Sequence, residues 1–177
     1  MTKNAEIFIK SKLSEYRSEL ETILNGDSIL QYNYCEYRDD DGERYDKNYS
    51  NRLRTSLALW YTSDGLDVEF LTAALLNEEI KYLNNSDYGG TSITVYLLLQ
   101  KILEYNKSSF RKFLKRAKCV NYDCFCELDI YTIKKSAGLL ADWHNFDFYI
   151  FDWDYVFELL DDEESRETFK ILNSSGE

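Results

Sequence analysis

Apolar residues recur every three or four positions over most of the chain, which is the spacing of one face of an α-helix. The first such stretch covers residues 4–24. Its apolar face consists of Ile9, Leu13, Tyr16, Leu20 and Ile23. The same spacing predicts further helices at 50–61, 64–84, around 95–102, around 110–117, and at 128–141, 153–160 and 163–172. The predicted apolar face of the helix at 64–84 consists of Leu66, Phe70, Ala74 and Leu75, and that of the helix around 95–102 of Val95, Leu98, Leu99 and Ile102.

Three segments do not follow the helical spacing. Residues 28–47 alternate loosely, so they form either a strand pair that turns at Asp41-Gly42 or a long polar loop. The loop is the favoured interpretation. Residues 119–127 are expected to connect two helices, and residues 145–151 alternate in a way that indicates an extended segment.

Length and proline content agree with a helical domain. The chain has 177 residues, enough for one domain with a sizeable core. It contains no proline, the residue that most often breaks a helix. We therefore predict a single all-α domain over residues 1–177, with seven or eight helices in antiparallel hairpins, allowing one short extended segment or β-hairpin.

The sequence predicts a cytoplasmic protein. No apolar run approaches the roughly 18 to 20 residues of a membrane span. Residues 1–13 lack the apolar region and cleavage site of a signal peptide. The four cysteines are therefore expected to be free thiols in a reducing compartment.

Charge restricts the partners of the protein. The formal net charge is -11, which disfavours binding to nucleic acid or to an anionic membrane and favours a basic protein. Residues 107–118 are the exception, because they contain six Lys or Arg and no acid. These cations are expected to face neighbouring acids or solvent, and the alternative is a site for a membrane surface or a phosphate group.

Residues 142–164 combine nine acidic and eight aromatic residues with no Lys or Arg. Aromatic anchors surrounded by charge are typical of protein interfaces. The predicted anchors are Trp143, Tyr149, Trp153 and Tyr155. The predicted acidic residues around them are Asp142, Asp147, Asp152 and Asp154, joined by the separate acidic run Asp39, Asp40 and Asp41. The alternative is a strand and helix of the core with a solvated acidic face.

Neither a metal site nor a catalytic site is predicted. Cys119, Cys124, Cys126 and His144 contain the atoms of a zinc site, but their spacing is not the usual pair of closely spaced ligands. Small thiols in a connection are the favoured interpretation. His144 is the only histidine, and no third residue completes a nucleophile and base around it. We therefore expect no cofactor and no enzymatic activity.

Two segments resemble a set of small helical bacterial proteins. DYGGTSITVYLLL (87–99) and AKCVNYDCFCELDIYTIKKSAG (117–138) contain an aromatic-Gly-Gly turn before an apolar helix and a later series of spaced residues. The matching positions are Gly89, Gly90, Ala117, Lys118, Asn121, Tyr122, Asp123, Cys126, Asp129, Ser136, Ala137 and Gly138. In size and acidity the chain is similar to the immunity proteins of bacterial polymorphic toxin systems, which bind and block a cognate toxin. The resemblance implies no set of functional residues.

These observations predict an immunity-type protein that occludes a basic toxin through an acidic, aromatic surface. One alternative is a protein whose carboxylates imitate the phosphates of nucleic acid and block a DNA-binding protein. A less favoured alternative is an enzyme that uses cysteine or carboxylate chemistry.

Overall fold

Helices make up most of the computed structural model, which describes residues 1–24, 29–61, 68–85, 91–105, 107–128 and 152–174. Eight α-helices lie in these ranges: α1 Lys3–Leu24, α2 Tyr49–Tyr61, α3 Glu69–Asn85, α4 Ile93–Tyr105, α5 Lys107–Lys118, α6 Tyr122–Glu127, α7 Trp153–Leu159 and α8 Glu163–Ser174. A 3-10 helix (Ile29–Tyr32) and an antiparallel hairpin of β1 (Glu36–Arg38) and β2 (Arg44–Asp46) separate α1 from α2. The predicted fold class, a mostly helical single domain, is confirmed. Within the described ranges, no helix is both long and apolar enough to cross a membrane.

Helix α4 lies at the centre of the domain. It packs against α2, α3 and α5, while α1 packs against the other side of α2. The apolar face predicted for α4 is confirmed, since its four members are at most 4% exposed. These residues are Val95, Leu98, Leu99 and Ile102. Complete burial of an aliphatic side chain contributes about 1.5–3 kcal/mol, so packing around α4 is a large part of the stability of the fold.

Helices α7 and α8 pack on each other, and α8 also packs against α1. The Phe157 ring of α7 lies 6.0 Å from that of Phe8 in α1 and 6.0 Å from that of Phe169 in α8, between ring centroids. The Thr2 hydroxyl donates a hydrogen bond to the Leu172 carbonyl at 2.7 Å. These contacts hold α7 in a fixed position on the domain.

The apolar faces of α1 and α3 show where helical spacing succeeds and fails. In α1 all five predicted residues are buried. In α3 the predicted Leu75 is buried, but the predicted Phe70 is 78% exposed, and its neighbour Leu71 is buried instead. Phe70 and Leu71 are adjacent apolar residues, so the spacing alone allows either one to begin the stripe. Packing against α4 selects Leu71.

The favoured loop over residues 28–47 is wrong, because the strand pair is formed. Its register places Tyr37 opposite Tyr45 and Glu36 opposite Asp46. Gly42 adopts φ +84 in the turn, a conformation that L-residues with a side chain rarely take. The strand does not extend back to Leu30, which lies in the 3-10 helix and is 70% exposed.

The predicted connection at 119–127 contains a short helix, α6. The Asn121 side chain caps it by accepting a hydrogen bond from the Cys124 amide at 2.7 Å. The helix predicted at 128–141 falls outside the described residues apart from Leu128, and the extended segment predicted at 145–151 falls outside them entirely.

Candidate binding site

A charged cluster lies inside the domain where β2, α2 and α3 meet. The Arg52 guanidinium pairs with the Asp46 carboxylate through Nη2, and its Nε donates a hydrogen bond to Glu79 Oε2 at 2.9 Å. The three side chains are 0% exposed. Removing one partner of such a buried pair typically costs about 3–5 kcal/mol, because the other charge stays buried without compensation. The cluster therefore ties the hairpin to two helices.

Further hydrogen bonds fix both carboxylates of the cluster. Asp46 Oδ1 accepts from the amides of Cys35 and Asn48, at 2.9 and 3.1 Å. Glu79 Oε1 accepts from the Ser92 hydroxyl, just before α4 begins. The β2 end, α3 and the start of α4 are thus held in one network.

The two carboxylates of this cluster offset the positive charge of Arg52. Burial alone would lower the pKa of the Arg52 guanidinium, but Glu79 and Asp46 together raise it above its ordinary value, so Arg52 remains a cation. Burial raises the pKa of Glu79, and Arg52 and Ser92 oppose that shift. With both carboxylates ionised the net charge of the three side chains is -1, and with Glu79 protonated it is zero.

A cavity of about 310 Å³ lies beside the cluster. Among the described residues it is lined by Tyr45, Asp46, Tyr49, Tyr82, Leu83, Thr91, Ser92, Ile93, Tyr155 and Leu159. Tyr45 and Tyr155 are 52% and 43% exposed, whereas Asp46 and Ser92 are buried. Its volume is at the small end of ligand pockets, and its lining of rings and aliphatic groups with a few polar atoms is typical of them.

Two of the four tyrosines that line the cavity, Tyr49 and Tyr82, are in contact with Arg52 of the cluster. The ring centroids of Tyr49 and Tyr82 are 5.3 Å apart, and the Arg52 Cζ lies 5.9 and 5.8 Å from them. Both distances fall within the range of cation–π contact. Burial, together with the charge of Glu79, raises the pKa of Tyr49, so its phenol stays neutral at physiological pH.

An acidic turn stands beside the cavity. We define it as Asp39, Asp40, Asp41 and Glu43, none of which has a cationic partner among the described residues. The Asp39 carboxylate accepts hydrogen bonds from the amides of Asp41 and Glu43, at 3.0 and 2.9 Å. The same carboxylate raises the pKa of Tyr45, which shows that the negative charge reaches the cavity edge.

The exposed rings next to the turn form one surface. Tyr37 and Tyr45 are directly opposite in the hairpin, so they share a face, and Tyr45 and Tyr155 line the same cavity. We call Tyr37, Tyr45 and Tyr155 the tyrosine face. Lys47 Nζ lies 4.8 Å from the Tyr37 ring centroid, which shows that this face attracts a cation within the chain itself.

The structure brings together only part of the predicted surface. Tyr155 lies on the tyrosine face, and the run from Asp39 to Asp41 belongs to the acidic turn. The anchor role predicted for Trp153 is wrong, because its side chain is 2% exposed and its ring lies 5.9 Å from that of Phe157 in the core. The reason is helical geometry, which turns Trp153 inward and Tyr155 outward.

The two described acids near Tyr155 lie in different surroundings. Asp152 is exposed and caps α7 through the Tyr155 amide at 3.4 Å. Asp154 pairs with Arg166 at 3.0 Å and with Lys170 at 3.5 Å, and Arg166 lowers its pKa. Its charge is compensated by α8, so it does not serve as a bare acid for a partner.

The remaining predicted anchors and acids lie outside the described residues. They are Trp143, Tyr149, Asp142 and Asp147. His144 lies outside them as well, so only the three cysteines of the zinc alternative can be placed. Cys124 is buried, while Cys119 and Cys126 are exposed. In the described part of the chain, no three His, Cys, Asp or Glu side chains are grouped in a way that would hold a metal ion.

Sequence reasoning missed the buried cluster and three of the cavity tyrosines. One signal for Glu79 was present, since it lies four positions after Leu75 and three after Leu76, on the buried side of α3. An acid at a core position needs a buried cation, and Arg52 is that cation. Nothing local to Tyr49 or Tyr82 indicated that the two would meet, because they belong to different helices.

The basic helix α5 carries a second charged surface. Arg111, Lys112 and Lys115 are exposed and have no acidic partner among the described residues, so they face solvent. Next to them, Lys118 Nζ lies 5.0 Å from the ring centroid of Phe125 in α6, which is 60% exposed. No residue of α5 lines the tyrosine cavity.

Comparison with known proteins finds no relative for this chain. No family model matches it, no curated protein matches it, and no solved structure matches it. Its function has to be inferred from the residues of the site.

Proposed function

We propose that this protein binds a basic protein through the tyrosine face and the acidic turn, and that it neutralises that partner by covering its surface. The observation that carries the proposal is the position of Tyr45 and Tyr155. These residues come from the hairpin and from α7, yet they line one cavity beside carboxylates that have no cationic partner among the described residues.

The chemistry of this surface suits a cationic protein. Partly exposed tyrosines provide large contact area with little loss of side-chain entropy, and they are common among residues that dominate binding energy. The acidic turn adds a local negative potential to a chain of net charge -11, which accelerates encounter with a basic partner.

The buried cluster supports the same role. Its pairs and hydrogen bonds hold the hairpin against α2 and α3 before any partner arrives. A surface that is fixed in advance loses less conformational entropy on binding. The hairpin is therefore a preorganised binding element.

Neutralisation of a toxin is the specific form of this proposal. It is supported by the resemblance of residues 87–99 and 117–138 to small helical bacterial proteins and by the similarity in size and acidity to immunity proteins. The partner would then be a basic toxin domain whose functional surface is occluded by the tyrosine face.

The test compares three forms of the protein as bait in cells of its source. The wild type, the Asp40→Asn/Asp41→Asn variant and a Glu15→Gln/Glu19→Gln control are used to capture partners, which are then identified by mass spectrometry. The two variants lose the same charge, but Glu15 and Glu19 are exposed on α1 and do not line the cavity.

We expect one basic protein to be retained by the wild type and by the control and to be lost from the Asp40/Asp41 variant. That protein should be toxic when expressed alone, and co-expression of the wild type should relieve the toxicity. Retention by all three baits would contradict the proposed surface. A captured protein whose expression is harmless would contradict the immunity role.

A further inference from the structure

We propose that the cavity lined by Tyr45, Tyr49, Tyr82 and Tyr155 binds a guanidinium group, supplied by an arginine side chain of the basic partner. The proposed function provides the source of this group, and the preference for guanidinium follows from the cavity itself.

The shape of the cavity fits one long side chain. Its volume of about 310 Å³ is small for a nucleotide-sized ligand. Leu83, Ile93 and Leu159 line it together with the rings, and these groups can pack against the methylene stem of an arginine. The exposed Tyr45 and Tyr155 leave an entrance from the tyrosine face.

The rings of the cavity already hold a guanidinium of the chain itself. Arg52 Cζ lies 5.9 Å from the Tyr49 ring centroid and 5.8 Å from that of Tyr82. Guanidinium groups stack on aromatic rings more readily than ammonium groups do, because they are planar and weakly hydrated. The same two rings line the cavity, where they meet Tyr45 and Tyr155.

The electrostatics of the cavity favour a cation. Arg52 does not repel a second guanidinium, because Asp46 and Glu79 compensate its charge. Asp46 itself lines the cavity, and Asp39 of the acidic turn acts on the Tyr45 hydroxyl at the edge. Among the residues that the structure describes, no Lys or Arg lines the cavity.

The inference is tested on the isolated protein with N-butylguanidinium, and with N-butylurea as a neutral compound of nearly the same shape. Binding is followed by NMR of the tyrosine rings. We expect N-butylguanidinium to shift the ring signals of Tyr45 and Tyr155 and to bind at least fivefold more tightly than N-butylurea.

Three variants localise the effect. Tyr155→Leu should weaken binding of N-butylguanidinium by about two- to fivefold, because it removes one ring from the cavity. Tyr155→Phe retains the ring and should bind as the wild type does. Tyr122→Leu is the matched control, since Tyr122 is 79% exposed on α6 and does not line the cavity.

Equal binding of the two compounds would overturn the preference for a cation, and an unchanged affinity in Tyr155→Leu would overturn the position of the site. If the compound fails to bind while capture of the basic partner still depends on Asp40 and Asp41, the guanidinium inference is wrong and the proposed function stands. If the compound binds but does not compete with the captured partner, the partner's arginine is not the occupant of the cavity.

Discussion

The acidic turn and helix α5 both carry exposed charges that lack opposite charges among the described residues, yet their surroundings differ. The turn stands beside a cavity with four tyrosines, and the buried cluster beneath it fixes the hairpin. The cations of α5 follow a helix surface that does not contribute to that cavity. The comparison teaches that charge density alone does not make a site. A site also needs a concave, apolar surface at the same place and a scaffold that holds it there.

The largest expected difference between the two regions is in stability. Arg52→Leu leaves Asp46 and Glu79 without their guanidinium and should lower the free energy of unfolding by about 3–5 kcal/mol. Arg111→Leu, on the exposed side of α5, should change it by about 0.5 kcal/mol or less. Urea denaturation of both variants measures the difference, and similar losses would mean that the buried cluster does not anchor the hairpin.

The second difference is in binding of the basic partner. Asp40→Asn/Asp41→Asn should reduce the affinity about tenfold at low salt, mainly through a slower association rate, because these acids contribute the attractive field. Lys112→Gln/Lys115→Gln removes repulsion and should leave the affinity unchanged or slightly higher. Surface plasmon resonance at two salt concentrations tests this, and an equal loss in both variants would contradict the assignment of the interface to the turn.

The third difference is in backbone conformation, which matters in the turn and not in α5. Gly42→Ala should destabilise the turn by about 1 kcal/mol, since Gly42 adopts φ +84 while an added Cβ would meet no atom within 4 Å. Gly42→Asn should be milder, because Asn tolerates this conformation. Hydrogen exchange of the Asp39 amide, which donates to the Glu43 carbonyl at 3.2 Å, measures the local opening. Equal exchange in wild type and Gly42→Ala would contradict the prediction.

The smallest expected effect is a pH-dependent change in stability at the hydrogen bond between the Tyr34 amide, just before the hairpin, and Glu78 of α3. Burial raises the pKa of Glu78, but hydrogen bonds from Lys81 and from the Tyr34 amide outweigh that effect. The pKa of Glu78 therefore lies below its ordinary value of 4.5. A lowered pKa in the folded state stabilises the fold at neutral pH, and this contribution is lost as the pH falls through the folded-state pKa.

Glu78→Gln should therefore be less stable than the wild type by about 1 kcal/mol or less at pH 7. The gap should narrow as the pH falls below 4.5 and close once the pH is below the lowered pKa of Glu78, as measured by urea denaturation at decreasing pH. Lys112→Gln on α5 removes no carboxylate and is the control. A gap for Glu78→Gln that does not narrow with falling pH would show that the hydrogen bonds do not depend on the charge of Glu78.

The sequence predicted the helices best where apolar spacing was unambiguous. In α1, Leu13, Tyr16 and Leu20 have no apolar neighbour in the sequence, and the five predicted residues of the face are all buried. In α3, the adjacent Phe70 and Leu71 allowed two choices, and the predicted Phe70 was wrong, whereas the predicted Leu75 is buried. The difference arises because spacing defines a stripe only when one residue at each turn is apolar.

The candidate site could be predicted only in its acidic and C-terminal parts. The run of acids at Asp39–Asp41 and the exposed Tyr155 were visible in the sequence. Trp153 looked equivalent to Tyr155, but two positions along a helix turn a side chain to a different side, and α7 packs with Trp153 inward. Composition could not separate a core ring from a surface ring.

By itself the sequence determined a mostly helical domain with strong negative charge, since helical spacing and net charge are properties of neighbouring residues and of simple sums. The tertiary structure alone decided that Arg52 pairs with Asp46 and Glu79, and that Tyr45, Tyr49, Tyr82 and Tyr155 enclose one cavity. These residues come from the hairpin, α2, α3 and α7, so their meeting depends on how the helices pack around α4. Local spacing carries no information about that packing, because it depends on contacts between residues far apart in the chain.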